Sequence, residues 1–308
     1  MARPDPGPDA SHSAAPPDWY SHGLNRLFYY RIAQAAASAL PRPARLRLAR
    51  GLGRLLARVV PAERRAVRSN LARVLAGASP RELDRRVSET FANFGVFFAD
   101  LLTLNRRPAA DLDAYVASDE GEHHLDTALA AGRGVVLLTA HLGNWEFAGR
   151  LLSSRGRRTA HVVLSAEQDQ ALERYLRLDS PQLRFVTRRH ATSTLGLLAA
   201  LRRAELVAMQ ADRPTGGRGD AIVPFFGAPA AFPIGPFVLA RAAGAAVVTA
   251  FCVMGRYRLE IDPPIWVKPG EEASALATTV AALERVIRAY PTQWFNFFDA
   301  WSPPHGHA

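Results

Sequence analysis

The chain has 308 residues, 48% of them hydrophobic, enough to bury a full core in one large domain or two small ones. Its formal net charge of +10 points to an anionic partner, either nucleic acid or an anionic membrane. The single cysteine, Cys252, excludes an internal disulfide and a cysteine-based zinc site, and its apolar surroundings over 247–254 mark a core thiol rather than a nucleophile.

Residues 1–18 are rich in Pro, Ala, Ser and Asp, with no apolar segment after a basic start, so they read as a disordered tail and not as a signal peptide. Residues 19–303 read as one domain, a helical part over 19–121 followed by an α/β core over 122–303, with no Gly-, Pro- or Ser-rich linker between them. The pattern from Trp19 to Asn105 is helical. Leu48, Leu52, Leu55, Leu56 and Val59 share one helical face, and Arg47, Arg50, Arg54 and Arg58 share another. Such a basic amphipathic helix is either a solvated helix of the fold or one that docks on anionic lipid head groups. Ser79-Pro80-Arg81-Glu82 predicts a helix start, with a Ser cap, Pro in the first turn and Glu placed for a capping box. Leu83, Val87, Phe91, Phe94, Phe98 and Leu101 follow at helical spacing, as a core stripe or as the wall of an apolar groove.

From residue 122 helices alternate with short apolar strands. The predicted strands are Val135–Thr139, Ala160–Leu164, 184–187, Leu206–Gln210, Ala246–Val253 and Tyr257–Ile261. Helices are predicted to begin near His123, Asn144, Asp169, Ser193, Pro236 and Glu272. This alternation predicts an α/β fold, a mostly parallel central sheet flanked by helices, with the N-terminal helices as a cap. The longest nearly uncharged stretch, 232–254, is broken by Pro233, Gly235, Pro236, Arg241 and Gly244, and reads as a buried helix and strand rather than a membrane span.

The most informative segment is 134–149. An apolar strand ends in a polar turn with His141, Asn144 can cap the next helix, and Glu146 falls in that helix's first turn. In open α/β sheets, ligands bind at such carboxyl ends of strands. Glu146 is close enough in sequence to accept a hydrogen bond from one imidazole nitrogen and leave the other to take a proton. That arrangement predicts general-base chemistry without a covalent enzyme intermediate; a structural histidine is the alternative. Asp212-Arg213 follows a second strand end, where Arg213 suits a phosphate or a developing oxyanion. The apolar loop with Phe225, Phe226 and Gly227 forms either a wall for a ligand chain or core packing. The 216–220 stretch, rich in glycine, reads as a mobile loop rather than a phosphate cradle, because no P-loop lysine accompanies it. The chain carries no Gly-x-Ser-x-Gly elbow, and His123-His124 lack ligand-spaced partners.

His141-Leu-Gly-Asn-Trp-Glu146 resembles the His-x4-acid signature of the lysophospholipid acyltransferase superfamily. Asp212-Arg213, Pro224-Phe-Phe-Gly227, Pro233-Ile-Gly-Pro236, Leu239-Ala240 and Arg68-Ser-Asn70-Leu71 extend the resemblance to its branch of bacterial lipid A late acyltransferases, over residues 20–303. The resemblance implies transfer of a fatty acyl group from acyl-carrier protein or coenzyme A to a hydroxyl or amine of a lipid or glycolipid such as lipid A. His141 and Glu146 would be catalytic. Asn144, Asp212, Arg213, Phe225, Phe226 and Gly227 would contact substrate, and backbone N–H groups near Gly143–Asn144 or Arg213 would stabilise the oxyanion. Arg47, Arg50, Arg54 and Arg58 would dock on an anionic membrane surface. The enzyme would sit peripherally or shallowly on the cytoplasmic face of the bacterial inner membrane, with no metal, no cofactor and no nucleic-acid partner. Two departures stand out: the 27–40 segment is short and broken by Arg31 and Gln34, and the ending over 293–301 differs from the basic one common in the branch. A hydrolase using the same His–Glu pair on water, or a non-catalytic membrane-surface partner, are the alternative readings.

Overall fold

The computed structural model describes residues 27–108, 111–154, 158–164, 182–187, 191–216 and 219–301. The tail over 1–18 and the helix expected near Asp169 lie outside the described residues. The N-terminal part is helical, as its spacing predicts: α1 (Leu27–Ser38), α2 (Arg42–Val59), α3 (Pro61–Val74) and α4 (Pro80–Leu102). Proline occupies the first turn of α2, α3 and α4, where an N–H would find no intrahelical partner. The Ser79 hydroxyl caps α4 by accepting the Glu82 N–H at 3.2 Å. The Glu82 carboxylate turns to Arg85 (2.6 Å) and Arg86 (2.7 Å) instead of back to Ser79, so half of the capping box forms. Leu83, Val87 and Phe91 of the aromatic stripe are core, with Phe94 and Leu101 packed against them.

The packing of α2 inverts the usual amphipathic arrangement. At about 100° per residue, α2 divides into three faces roughly 120° apart. Ala49, Gly53 and Ala57 are the buried face, pressed against α4. The approach is close enough that a Cβ added at Gly53 would fall 2.1 Å from the Phe91 carbonyl oxygen, and one at Gly95 would fall 2.2 Å from that of Ala49. The arginines form the second face. The third, Leu48, Leu52, Leu55, Leu56 and Val59, points to solvent, its first three leucines 52–56% exposed. Phe28, Tyr29 and Ile32 of α1 are exposed as well.

The rest of the described chain runs β1 (Val116–Glu120), α5 (Glu122–Ala130), β2 (Val135–Thr139), α6 (Trp145–Ser154), β3 (Ala160–Leu164), β4 (Leu183–Thr187), α7 (Ala191–Arg202), β5 (Leu206–Gln210), β6 (Asp220–Phe225), β7 (Ala228–Pro233), α8 (Gly235–Ala243), β8 (Ala246–Val253), β9 (Tyr257–Ile261), β10 (Ile265–Trp266) and α9 (Glu272–Ala289). The sheet order is β1-β9-β8-β2-β5-β3-β4, with β10 pairing the start of β8. Strands β8, β2, β5, β3 and β4 are mutually parallel, while β9 runs against β8 and β1 runs with β9. Both faces of β2 are covered: Val136 and Leu138 join one core cluster, and Val135 and Leu137 another. Two-sided burial explains why β2, β5 and β8 are continuous apolar runs rather than alternating ones.

Two elements depart from the sequence expectation. The stretch from Asp220 to Pro233 is a β-hairpin, not a loop. Its turn residues Phe226 (φ +46°) and Gly227 (φ +77°) both take the left-handed conformation that two-residue hairpin turns favour. Phe at the first of these positions and the facing prolines Pro224 and Pro229 conceal the hairpin from sequence reading. The β1 strand, Val-Ala-Ser-Asp-Glu, is an edge strand too polar to stand out.

Gly53→Ala should lower stability by about 1–3 kcal/mol in urea unfolding, because the methyl meets backbone that cannot yield. Gly51→Ala, two residues away with nothing within 4 Å of the added methyl, should leave stability equal or raise it.

Candidate active site

Strands β2 and β5 lie side by side with Thr139 opposite Gln210. The Ala211 N–H continues the ladder to the Thr139 carbonyl at 2.8 Å. His141 and Asp212 each stand two residues beyond that matched pair, so they leave the sheet at the same level. The imidazole Nδ1 lies 2.8 Å from Asp212 Oδ1. Asp212 Oδ2 accepts the His141 backbone N–H at 3.1 Å and the Trp294 indole N–H at 3.0 Å. Both side chains are buried.

Burial alone would raise the Asp212 carboxyl, but His141, Arg213 and the Trp294 indole overcome it and hold the pKa at about 2. An ionised carboxylate at Nδ1 fixes the tautomer with its proton on that nitrogen and the lone pair on Nε2. Burial, and then the positive charge of Arg213, push the imidazole below its ordinary value, while Asp212 pulls the other way. The histidine is therefore neutral at neutral pH and equipped to act as a base.

Glu146 is not the partner of this histidine, contrary to the sequence expectation. Its Oε1 accepts the Trp145 indole N–H at 3.2 Å. Trp145 is the residue that meets the imidazole, edge-on with ring centroids 5.3 Å apart. The reason is the helix start: α6 begins at Trp145, and its first turn carries the Glu146 carboxylate to the wall of an apolar pocket between α6 and the sheet. Leu137, Val162, Ala208 and Gly149 also line this pocket, and Trp145 is common to it and to the histidine site. Burial there pushes the Glu146 carboxyl above its ordinary value, partly offset by the indole.

Asn144 also has other work than contacting substrate. It is buried, its Oδ1 caps α6 by accepting the Phe147 N–H at 3.0 Å, and its Nδ2 donates to the Tyr257 hydroxyl at 3.0 Å. The loop's backbone donors are equally committed. The Gly143 N–H goes to the Gln293 carbonyl (2.9 Å) and the Asn144 N–H to that of Cys252 (2.8 Å). These two N–H groups are thus engaged with backbone carbonyls. Arg213 donates to the Phe295 carbonyl at 3.1 Å and lies over the Phe298 ring.

Phe225 is core, stacked on Trp301 at 5.3 Å and edge-on to Trp294, so it does not line a groove. Phe226 and Gly227 form the hairpin turn, where Arg288 covers the Phe226 ring. Arg47, Arg50, Arg54 and Arg58 are all exposed on α2, and the Arg50 guanidinium also donates to Asn93 Oδ1 at 3.3 Å.

Sequence reasoning missed the C-terminal segment. Leu142 and Trp294 form an antiparallel bridge, and the Phe295 N–H donates to the His141 carbonyl at 2.7 Å. Asn70 of α3 clamps the same segment, donating to the Asn296 (3.0 Å) and Phe298 (2.8 Å) carbonyls and accepting the Ala300 N–H (3.1 Å). The signal was the density of Trp and Phe over 293–301, too aromatic for an ordinary tail.

Residues 21–302 match the sequence model of a family described as bacterial lipid A biosynthesis acyltransferase. Over 258 residues the chain is 29% identical to the phosphatidylinositol mannoside acyltransferase of Mycobacterium tuberculosis (strain ATCC 25618 / H37Rv), covering 76% of each chain. Over 232 residues it is 24% identical to the lipid A biosynthesis palmitoleoyltransferase of Escherichia coli (strain K12), covering 74% of each.

The electrostatics of the pair are open to direct titration. In Asp212→Asn the His141 imidazole should titrate at lower pH than in wild type, and in Arg213→Gln at higher pH, read by NMR of its ring nitrogens. No change in either variant would mean that the imidazole is not held by these two charges.

Proposed function

The chain belongs to the bacterial lipid A biosynthesis acyltransferase family, and from that premise we propose that His141 and Asp212 are the pair that runs its acyl transfer. The donor is an acyl thioester of acyl-carrier protein or coenzyme A, and the acceptor is a hydroxyl or amine of an envelope lipid or glycolipid. His141 Nε2 takes the acceptor proton as the acceptor oxygen or nitrogen attacks the thioester carbonyl. The carbon–sulfur bond then breaks, and the imidazolium returns the proton to the leaving thiolate. Asp212 holds the Nδ1–H and stabilises the imidazolium; positioned proton transfer of this kind contributes about 10²–10⁴-fold in rate. Arg213 stabilises the oxyanion. The acyl chain occupies the apolar pocket beside α6, where Glu146 and Trp145 form the wall nearest the histidine. The observation that carries this reading is the buried 2.8 Å contact between His141 Nδ1 and Asp212 Oδ1. No cofactor is required, because the thioester already supplies the activation.

The acceptor is reached from a membrane surface. The leucine face of α2 and the aromatic residues of α1 are exposed apolar groups on adjoining helices, a feature that marks an interaction surface. Arg47, Arg54 and Arg58 flank that face and suit anionic head groups, so α2 lies in the interface with its leucines inserted. No helix among the described residues is long and apolar enough to cross a membrane. The cytoplasmic face of the inner membrane is where thioester donors meet such lipids.

A deletion strain complemented with His141→Ala should contain a lipid lighter by one acyl chain than the same strain complemented with wild type, by mass spectrometry. Identical lipid profiles would remove His141 from the mechanism. Replacing Leu48, Leu52 and Leu55 by Gln should weaken binding to anionic vesicles at all salt concentrations. Replacing Arg47, Arg54 and Arg58 by Gln should weaken it chiefly at low salt, where their charge is least screened. Unchanged sedimentation with vesicles in both variants would place the membrane surface elsewhere.

A further inference from the structure

We infer that Arg42, Asp100 and Tyr257 are positioning residues that tie the docking helix α2 to the loop carrying His141; the inference rests on the acyl-transfer reading of that loop. The tie is a continuous chain of hydrogen bonds. Arg42, the first residue of α2, donates to Asp100 Oδ2 at 3.1 Å. The Tyr257 hydroxyl donates to the same oxygen at 2.6 Å and accepts from Asn144 Nδ2 at 3.0 Å. Asn144 Oδ1 then caps α6, three residues after His141 in the chain. Tyr257 also stacks on Phe147 of α6, centroids 4.3 Å apart and rings 15° from parallel, so one side chain holds both the face and the start of the helix.

A second arm runs parallel to the first. Arg50 donates to Asn93 Oδ1, and Asn93 Nδ2 donates to the Thr292 carbonyl and hydroxyl, each at 3.1 Å. The next residue, Gln293, accepts the Gly143 N–H through its backbone carbonyl. Asn93 and Asp100 lie seven residues apart on one face of α4, and both arms line the same small cavity under α2. Among the basic residues of α2, Arg42 and Arg50 thus reach toward α4 and the loop, Arg45 donates to the Ala37 and Leu40 carbonyls, and Arg47, Arg54 and Arg58 face outward.

Stability alone is a poor explanation for the first arm. Asp100 is a fully buried carboxylate paired with a guanidinium. Replacing such a pair by apolar side chains of the same shape is often neutral or stabilising, so what we assign to this one is orientation. The loop they hold must keep Nε2 aligned with its substrate, and misplacement by about 1 Å can cost on the order of 10²-fold in rate.

The test uses the full chain with Tyr257→Phe, Arg42→Gln and Arg42→Lys. Tyr257→Phe and Arg42→Gln should lower kcat by about 10–100-fold with the KM for the thioester nearly unchanged. Arg42→Lys, which keeps a cation within reach of Asp100, should recover most of the loss. Loosening the loop should also let water reach His141, so the acid limb of the kcat profile moves up toward the ordinary histidine range. In hydrogen exchange, the backbone amides over 141–147 should exchange faster in both weakening variants, with vesicle binding unaltered. Wild-type kcat and wild-type exchange in Tyr257→Phe and Arg42→Gln would overturn the proposal. The exchange readout stands apart from activity: if wild type transfers no acyl group, the functional reading fails while the tie is still judged. Arg42 lies at the half-exposed rim, so its variants remain informative should Tyr257→Phe fail to fold.

Discussion

An ionised carboxylate inside a protein is tolerated when donors meet its lone pairs; otherwise it takes up a proton or unfolds its surroundings. Asp212 meets this condition with the His141 ring, the His141 backbone and the Trp294 indole, from two chain segments. The rest of the site follows from that requirement. The β2–β5 register must be matched so that residues two beyond Thr139 and Gln210 arrive together. The C-terminal segment must cross the loop to deliver Trp294, and Asn70 must hold that segment in place. A one-residue slip between β2 and β5 would send the imidazole and the carboxylate to opposite faces of the sheet.

The same carboxylate sets the electrical character of the histidine. Burial and Arg213 favour the neutral ring, Asp212 favours the charged one, and burial is the largest of the three. A base that rests neutral and can be charged transiently beside an ionised partner suits proton transfer better than one already protonated. Glu146 experiences the opposite environment: in an apolar pocket, with an indole N–H for company, its carboxyl is pushed toward the neutral form. The two acids of the site are therefore separated by surroundings rather than by type, one kept charged to orient the histidine and the other made less acidic against the pocket.

Much of the fold was legible in the residues themselves. The Val- and Leu-rich runs of β2, β5 and β8 announce strands buried on both faces, and Ser79-Pro80 announces α4. The partner of His141 was not legible, because sequence spacing favours the near carboxylate, Glu146, over one 71 residues away. Local proximity fails there because a helix start intervenes and turns Glu146 aside. The clue to the right answer was symmetric: Asp212, like His141, stands just past the end of an apolar strand, but only the strand order makes the two neighbours. The hairpin over 220–233 was hidden by its prolines and by a phenylalanine in a left-handed turn.

The reading of α2 turned on the same distinction between residue type and position. Hydrophobicity alone sends leucines inward, yet the face against α4 is Ala49, Gly53 and Ala57, because only small side chains allow backbones to approach so closely. With α4 on that face, the leucines are left exposed, while Arg42 and Arg50 reach Asp100 and Asn93 and Arg47, Arg54 and Arg58 stay outward. Close packing on one side and apolar exposure on the other are thus a single structural choice. It gives α2 rigid attachment to the helix behind the His141 loop and leaves an apolar face exposed to solvent. A helix packed by its leucines would have given up both.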